Sequence, residues 1–300
     1  MALSIGVRKR SGPFEMSKRA VFYLILIGYT VMSTIPFIWS GLTSFKSQPE
    51  AAQTPPTGIP INATLDAWKT VLGFNSSISG INVDFLQYFK NSLIVALLVM
   101  AGNLFFDSLA GYAFARMRFP GRNFLFYLII GTLMIPAAMT IIPVFVILAK
   151  VPGFLGGPWL GTYEGLTVPF MVTAFGIFLM RQFFMSLPVE LEEAGRMDGL
   201  TRFGMYWKIA LPLARPALAT LAILQFQGSW DSFLMPSFIT QSNPSLYTLP
   251  VGLAQFSFNY LNYWPDIMAG AMVVILPILV VYVFAQRYFV EGLSRTGLKG

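Results

Sequence analysis

The chain contains no cysteine and no histidine, and it is poor in charged residues. Without the first two it has no disulfide, thiolate nucleophile, histidine base or Cys/His metal site. Only 11% of the 300 residues are charged and 55% are hydrophobic, whereas about a quarter of a soluble domain is charged. The composition therefore predicts a membrane protein.

Six apolar stretches are long enough to cross a bilayer as helices, which takes about 20 residues each. Helices are expected because backbone in lipid must satisfy its own hydrogen bonds, and the alternation typical of a membrane barrel is absent. Pro136 and Pro143 lie in the third stretch, which is expected to kink or to be partly re-entrant. The predicted spans are Val21–Leu42, Ser92–Phe114, Phe124–Leu148, Leu166–Phe184, Pro216–Phe238 and Ile267–Phe289.

The net charge of +7 is explained by topology, since the basic residues flank the apolar stretches and form no extended face for nucleic acid. If both termini are inside, only four of the 20 Lys and Arg residues lie outside, in agreement with the positive-inside rule. They are Lys46, Lys69, Lys90 and Lys150. The run after Lys18-Arg19 is predicted to be an uncleaved span and not a signal peptide. The organisation is an inner tail (1–20), a membrane domain (21–290) and a second inner tail (291–300).

The longest outer segment runs from Thr43 to Asn91 and starts with an irregular, proline-rich stretch. Leu65–Trp68 and Val83–Leu86 are expected to open short surface helices. The last outer loop carries Tyr260 and Trp264, which suit a membrane interface. No internal repeat is visible, and this counts against a carrier built from inverted repeats.

A charged segment lies between the fourth and fifth stretches, and residues 186–215 are called the polar loop below. Ser186 is predicted to cap a helix whose first turn is acidic, and Gly199 to end it in the left-handed conformation. Thr201 is predicted to cap a second, amphipathic helix that Pro212 and Pro216 break. One face of the first helix, with small residues that let a partner approach closely, holds Leu191, Ala194, Gly195 and Asp198.

Each of these signals alone is typical of a solvated loop with an interfacial helix. The ordered pattern is more specific: Glu193-Ala194-Gly195, then Asp198-Gly199, then Ile209 after nine residues, then Leu211-Pro212. It resembles the EAA loop of ABC-importer permeases, and the chain as a whole resembles the maltose-type permeases of carbohydrate ABC importers. Further matching segments are Asn91-Ser92, Ala110–Arg116, Phe119–Arg122, Ile177–Phe184, Trp230–Phe233, Gln286–Val290 and Lys299-Gly300.

The resemblance implies an all-α polytopic protein with six transmembrane helices of the type I ABC-importer permease fold and a cytoplasmic coupling helix. That helix would dock in a groove of an ATPase, where Glu193 would contact a basic residue. Leu211-Pro212 would relay the motion into the fifth span. Gly195 stands where the family more often has a second alanine. Glycine lowers helix stability by about 1 kcal/mol relative to alanine, so a slightly softer helix is expected. The implied ATPase-coupling residues are Glu193, Ala194, Gly195, Asp198, Gly199, Leu211 and Pro212.

The resemblance also implies the partners: a homologous permease in a heterodimer, an ABC ATPase dimer, an extracytoplasmic solute-binding protein and membrane lipid, but no nucleic acid. The chain would bind no cofactor, and the partner ATPase would use ATP and Mg. Gly292–Lys299 approximates a phosphate-binding loop, but Leu298 interrupts it and no strand precedes it. The implied location is a bacterial or archaeal cytoplasmic membrane, with both termini cytoplasmic.

Polar side chains inside spans are costly and usually face a protein interior or a cavity. An aromatic ring beside amides and carboxylates suits a sugar, because the ring covers C–H faces while the polar groups meet hydroxyls. The alternative is that these residues pack against the partner permease or satisfy a broken helix. The substrate-path candidates are Asn103, Asp107, Gln225, Gln227, Trp230 and Asp231.

The predicted function is therefore the permease subunit of an ATP-driven importer for a mono-, di- or oligosaccharide or a glycerol-phosphate-type solute. The alternative is an ion-coupled secondary carrier that uses Asp107 or Asp231 as its ion site. A membrane enzyme is disfavoured, because no nucleophile–base pair is visible and the commonest base is missing.

Overall fold

The computed structural model describes residues 13–74, 77–78, 81–82, 84–153, 156–258 and 263–297, and within them the chain is almost wholly helical. Several predictions about the tails and the last outer loop concern residues outside that description. These residues are Tyr260, Lys299, Gly300 and three basic residues of the predicted inner tail, Arg8, Lys9 and Arg10.

The first part of the chain holds two long helices joined by a folded loop. Its elements are α1 (Pro13–Thr43), α2 (Gln48–Ala51), α3 (Asp66–Val71), a short antiparallel pair of β1 (Ser77–Ile78) and β2 (Ile81–Asn82), and α4 (Phe85–Arg116). The prediction of a short surface helix from Val83–Leu86 is wrong, because the Asp84 carboxylate accepts the Gln87 N–H and caps the long helix α4 instead. The helix predicted at Leu65–Trp68 is present as α3, but Ala67 and Val71 are buried and not on the surface.

Two broken spans follow. Their elements are α5 (Arg122–Gly131) with a 3₁₀ turn (Thr132–Met134), α6 (Ala137–Lys150), α7 (Tyr163–Thr167) with a 3₁₀ turn (Val168–Phe170), and α8 (Ala174–Ser186). The chain turns by 107° before α6 and by 41° before α8. Pro136 lies at the first bend, as predicted, whereas Pro143 is accommodated inside α6.

The rest of the chain contains the polar loop and the final spans. Its elements are α9 (Glu190–Met197), α10 (Arg202–Met205), a π-helical turn (Tyr206–Ala210), α11 (Leu211–Leu213), α12 (Arg215–Trp230), α13 (Leu234–Ile239), a 3₁₀ turn (Pro244–Leu246), α14 (Leu249–Phe258) and α15 (Trp264–Gly297). The predicted fifth span was too long at its end, since α12 stops at Trp230 and Phe238 belongs to α13.

Three described helices are long and apolar enough to cross a membrane alone: Ser17–Thr43, Phe85–Arg116 and Trp264–Val283. Three bent pairs pass the same test together: Arg122–Met134 with Ala137–Lys150, Tyr163–Phe170 with Ala174–Ser186, and Arg202–Leu213 with Arg215–Trp230. If each bent pair is one span, the described residues contain six spans, and the all-α polytopic fold predicted from the sequence is confirmed.

Helix α4 is the centre of the packing, because it lies between α8 and α12, and α12 in turn packs on α15. Contact between α4 and α8 is very close: a Cβ at Gly111 would lie 2.9 Å from the backbone nitrogen of Arg181. Small residues at such crossings let helices in a membrane pack tightly. One buried cluster, with Tyr112, Phe184 and Tyr206, lies next to the polar loop.

The loop between α1 and α4 is held by two buried charged side chains, Lys46 and Glu50, which both contact Thr57. Lys46 Nζ donates to the carbonyl of Thr57, and the Glu50 carboxylate accepts from the Thr57 hydroxyl (3.0 Å) and the Ile61 N–H (2.8 Å). The Ile61 bond is the main reason that the pKa of Glu50 lies below its ordinary value. This loop, which carried no recognisable motif, is therefore folded by its own polar contacts.

Candidate functional site

The first helix of the polar loop, α9, begins at Glu190 without a side-chain cap. The predicted cap at Ser186 is wrong, because Ser186 ends the preceding helix α8 and its hydroxyl donates to the Phe183 carbonyl (2.7 Å). The acidic first turn is present, with Glu190, Glu192 and Glu193. These carboxylates stabilise an uncapped N-terminus through the helix dipole.

The end of α9 is built as predicted. Gly199 has a φ of +77°, which a side chain would strain. The Leu200 N–H donates to the Gly195 carbonyl (2.9 Å) and the Gly199 N–H to the Arg196 carbonyl (3.0 Å), which satisfies the last free carbonyls of the helix. Thr201 then caps α10 by accepting the Gly204 N–H (3.1 Å).

The exposed surface of α9 differs from the face expected from spacing alone. Only Glu192 and Gly195 of its eight residues are covered by the chain. A Cβ at Gly195 would lie 2.8 Å from Cδ1 of Ile209, so this glycine faces its own chain and not a partner. The exposed residues are Glu190, Leu191, Glu193, Ala194, Arg196 and Met197. We call Glu193, Ala194 and Met197 the outer face of α9.

Met197 was missed by sequence reasoning, although its side chain is 88% exposed. An exposed methionine one turn after Glu193 gives this face an adaptable apolar contact. The sequence does contain a signal for it, because Met197 follows Glu193 by four residues and so lies on the same helix face. The motif itself emphasises only the small residues.

The second helical segment anchors the loop to the spans. Tyr206 is buried and its hydroxyl lies 2.8 Å from the Ser108 hydroxyl of α4. Leu211 and Pro212 lie in α11, after which the chain turns by 79° to enter α12. The turn lies at Ala214, between the two prolines expected to break the helix.

Two of the substrate-path candidates, Asn103 and Asp107, are buried against the bend of the fourth span. Asn103 Nδ2 donates to the carbonyl of Phe170 (2.9 Å), the last residue of the 3₁₀ turn before the bend. The Asp107 carboxylate accepts from the N–H (2.9 Å) and hydroxyl (2.8 Å) of Thr173, where α8 begins. Because a break in a membrane helix leaves backbone groups unpaired, the main contacts of these side chains are structural.

The remaining four candidates are one buried residue, two exposed residues and one residue that lines a cleft. Trp230 is 1% exposed, stacks on Phe226 with ring centroids 5.6 Å apart, and donates from its indole nitrogen to the Val274 carbonyl (3.0 Å). It is a core residue, so the expectation that its ring covers a sugar is not met in this chain. Gln227 and Asp231 are exposed at the end of α12.

Gln225 lines a cleft of about 200 Å³ between α4, the bend of the fourth span ahead of α8, and the segment from α12 to α13. Its Nε2 donates to the Thr173 hydroxyl (3.0 Å), so the bend of the fourth span forms part of this cleft. Ser229 and Ser232 add two hydroxyls that sequence reasoning did not single out. The apolar walls are Val95, Val99, Leu166, Phe170 and Pro236. Amide and hydroxyl groups among apolar walls are able to bind a polar, uncharged solute.

In the part of the chain that the structure describes, no three acidic side chains are grouped to bind a metal ion. The arrangement is instead a helical membrane protein with broken spans around a polar cleft, and with a polar loop continuous with one wall of that cleft. These features define a membrane transport subunit.

Comparison with known proteins gives the family. Residues 107–295 match the model of the binding-protein-dependent transport system inner membrane component, and the chain belongs to this family. This confirms the carbohydrate ABC-importer permease resemblance predicted from the sequence.

Curated relatives extend over most of the chain. The arabinooligosaccharides transport system permease protein AraQ of Halalkalibacterium halodurans is 35% identical over 93% of this chain and 96% of its own length. The sn-glycerol-3-phosphate transport system permease protein UgpE of Yersinia enterocolitica is 36% identical over 75% of this chain and 76% of its own length. A crystal structure of a bacterial ABC transporter that imports alginate contains a chain with the same fold, at a TM-score of 0.76 and 24% identity, covering 93% of this chain and 99% of that one.

Proposed function

We propose that this chain is the permease subunit of an ATP-driven importer for a sugar or a related solute, and that α9 is its coupling helix. It works beside a homologous permease, an ABC ATPase dimer and an extracytoplasmic solute-binding protein. The polar loop and both termini lie on the cytoplasmic side, and the distribution of basic residues supports this orientation.

The observation that carries this proposal is the exposure of the outer face of α9. Glu193 supplies a carboxylate for a basic residue of the ATPase, while Ala194 and Met197 supply a small and an apolar contact beside it. A helix capped at its end by Gly199 and packed through Gly195 presents that face rigidly. Rigid presentation favours binding because little conformational entropy is lost on docking.

The chain offers a short mechanical route from that face to the cleft. Gly195 packs on Ile209, and Leu211-Pro212 lie two residues further along the chain, just before α12. Gln225 and Ser229 on α12 line the cleft. Movement of α9 when the ATPase closes on ATP therefore displaces one wall of the cleft, and hydrolysis resets it.

The solute class is supported by the relatives and by the cleft. AraQ and UgpE are named for arabinooligosaccharide and glycerol-3-phosphate transport. Both solutes carry hydroxyls, but only the first is uncharged, as the lining of the cleft favours. The polar lining of the cleft consists of Gln225, Thr173, Ser229 and Ser232, which exchange hydrogen bonds with hydroxyls. We infer that the translocated solute is polyhydroxylated.

The test is a mild affinity purification of the tagged chain from native membranes, followed by mass spectrometry. Recovery of an ATP-binding subunit, a second permease and a solute-binding protein is expected. Deletion of Glu193–Gly199 should leave the second permease in the complex but lose coupled uptake. Glu190→Gln, an exposed substitution on the same helix, is the control.

Uptake is measured in liposomes that contain the purified complex, with labelled arabinooligosaccharides and glycerol 3-phosphate as probes. Import that requires ATP and resists ionophores supports the proposal. A chain recovered alone, which transports solute under an ion gradient without ATP, supports the secondary carrier instead and overturns the proposal.

A further inference from the structure

The Arg116 side chain joins three helices beside the polar loop. Arg116 is the last residue of α4, and its Nε and Nη2 donate to the Phe184 carbonyl of α8 (3.0 and 2.7 Å). Nη2 also donates to the Leu187 carbonyl, just beyond α8. Its Nε lies 3.3 Å from Oε1 of Glu192 in the first turn of α9. One guanidinium therefore contacts the ends of α4 and α8 and the start of α9.

Glu192 differs from the other acidic residues of the same turn. Glu190 and Glu193 are exposed, whereas the Glu192 side chain is 13% exposed and that of Arg116 is 10% exposed. The hydroxyl group of Tyr112 interacts with the same carboxylate. An ion pair with so little solvent around it is less screened than a surface ion pair.

We propose that Arg116 and Glu192 are positioning residues that form a tether between α9 and the helix pair α4–α8. This proposal rests on the proposed function, in which α9 moves with the ATPase. Because Asp107 of α4 holds Thr173 at the start of α8, movement of this pair reaches the cleft at Thr173. The wall containing Gln225 is reached separately, along the backbone into α12. The tether thus lets one coupling helix act on both walls.

The first test is Glu192→Gln in the assembled complex, with Glu190→Gln as the matched control for loss of one carboxylate charge in the same turn. The readout is the amount of solute imported per ATP hydrolysed, using the probe that the wild-type complex imports. Glu192→Gln should lower this ratio about tenfold, since breaking a nearly buried ion pair is costly. Glu190→Gln should leave it unchanged. Recovery of the ATPase with the Glu192→Gln chain should be normal, so a fall in the ratio reports coupling and not assembly.

The second test uses the absence of cysteine from the chain. The double substitution Arg116→Cys with Glu192→Cys introduces two thiols that a short bismaleimide links covalently. The unlinked variant should be uncoupled, and linking should raise the import-to-hydrolysis ratio several-fold, because a covalent tether replaces the ionic one.

Two results overturn the tether: an unchanged ratio in Glu192→Gln, or a linked double variant that remains uncoupled or loses uptake. Either result with normal recovery of the ATPase leaves the proposed function intact. Failure of the proposed function itself is recognised separately, because the wild-type chain would then recover no ATPase.

Discussion

At the scale of single residues, burial separates side chains that look alike in the sequence. Glu192 and Glu193 are adjacent, yet the first is held by Arg116 and the second is exposed. Trp230 and Asp231 were both candidates for the solute path, yet the ring is buried and the carboxylate is exposed. Sequence patterns identify polar or aromatic residues within a span, but the direction of each side chain depends on the packing of distant helices.

Trp230 is predicted to stabilise the fold and not to bind solute. Trp230→Ala should lower the free energy of unfolding by about 3–5 kcal/mol, because it removes a large buried ring and its indole hydrogen bond. Thermal unfolding of the detergent-solubilised chain measures this loss. Asp231→Asn, at the exposed neighbouring position, should change the unfolding temperature little. A Trp230→Ala chain of normal stability that has lost solute affinity would contradict this assignment.

Asp107 is predicted to act as a hydrogen-bond acceptor at the bend of the fourth span. Asp107→Asn should retain most ATP-driven uptake, since the amide oxygen still accepts the Thr173 N–H and the amide nitrogen can donate to the Thr173 hydroxyl. Asp107→Leu should lose about 1–3 kcal/mol of stability, because both Thr173 donors are left unpaired. If Asp107 were the ion site of a secondary carrier, Asp107→Asn would abolish uptake while stability stayed normal.

At the scale of secondary structure, the sequence predicts elements well where local chemistry decides them. Gly199 ends α9 and Thr201 caps α10 because those signals depend on neighbouring backbone groups alone. The broken third span follows from Pro136 in the same way. Ser186 fails as a cap because α8 continues through it, and Val83–Leu86 fails as a short helix because α4 extends beyond the apolar core.

The glycine inside α9 and the glycine just after it, Gly195 and Gly199, are predicted to respond in opposite ways to substitution by alanine. Gly199→Ala should cost about 1 kcal/mol or more, because φ is +77°. Gly195→Ala should be neutral or slightly stabilising, since helix propensity gains about 1 kcal/mol and the nearest atom, Cδ1 of Ile209, can move. Unfolding of the two purified variants measures the difference. Strong destabilisation by Gly195→Ala alone would contradict the packing described here.

At the scale of the whole molecule, the six-span architecture follows from composition, while the cleft does not. Length and apolarity define the spans. The cleft, in contrast, forms where α4 and α12 meet the bend of the fourth span, and those contacts join residues distant in sequence. Gln225 was predicted for this region, whereas Ser229 and Ser232 were not, because a serine in a span is usually a packing residue. The Arg116–Glu192 pair was not predicted either, because no local sequence pattern links residues so far apart in the chain.

The central claim is that the outer face of α9 contacts the ATPase, and crosslinking from Met197 tests it most directly. Met197→Cys provides a thiol at an exposed position in a chain without other cysteines. Asn123→Cys provides an exposed control at the start of α5, on the side of the membrane proposed for the polar loop. In native membranes treated with a short thiol-to-amine crosslinker, we predict that Met197→Cys is joined to an ATP-binding subunit and Asn123→Cys is not. Absence of the ATPase from the Met197→Cys product, with the complex otherwise assembled, would contradict the account.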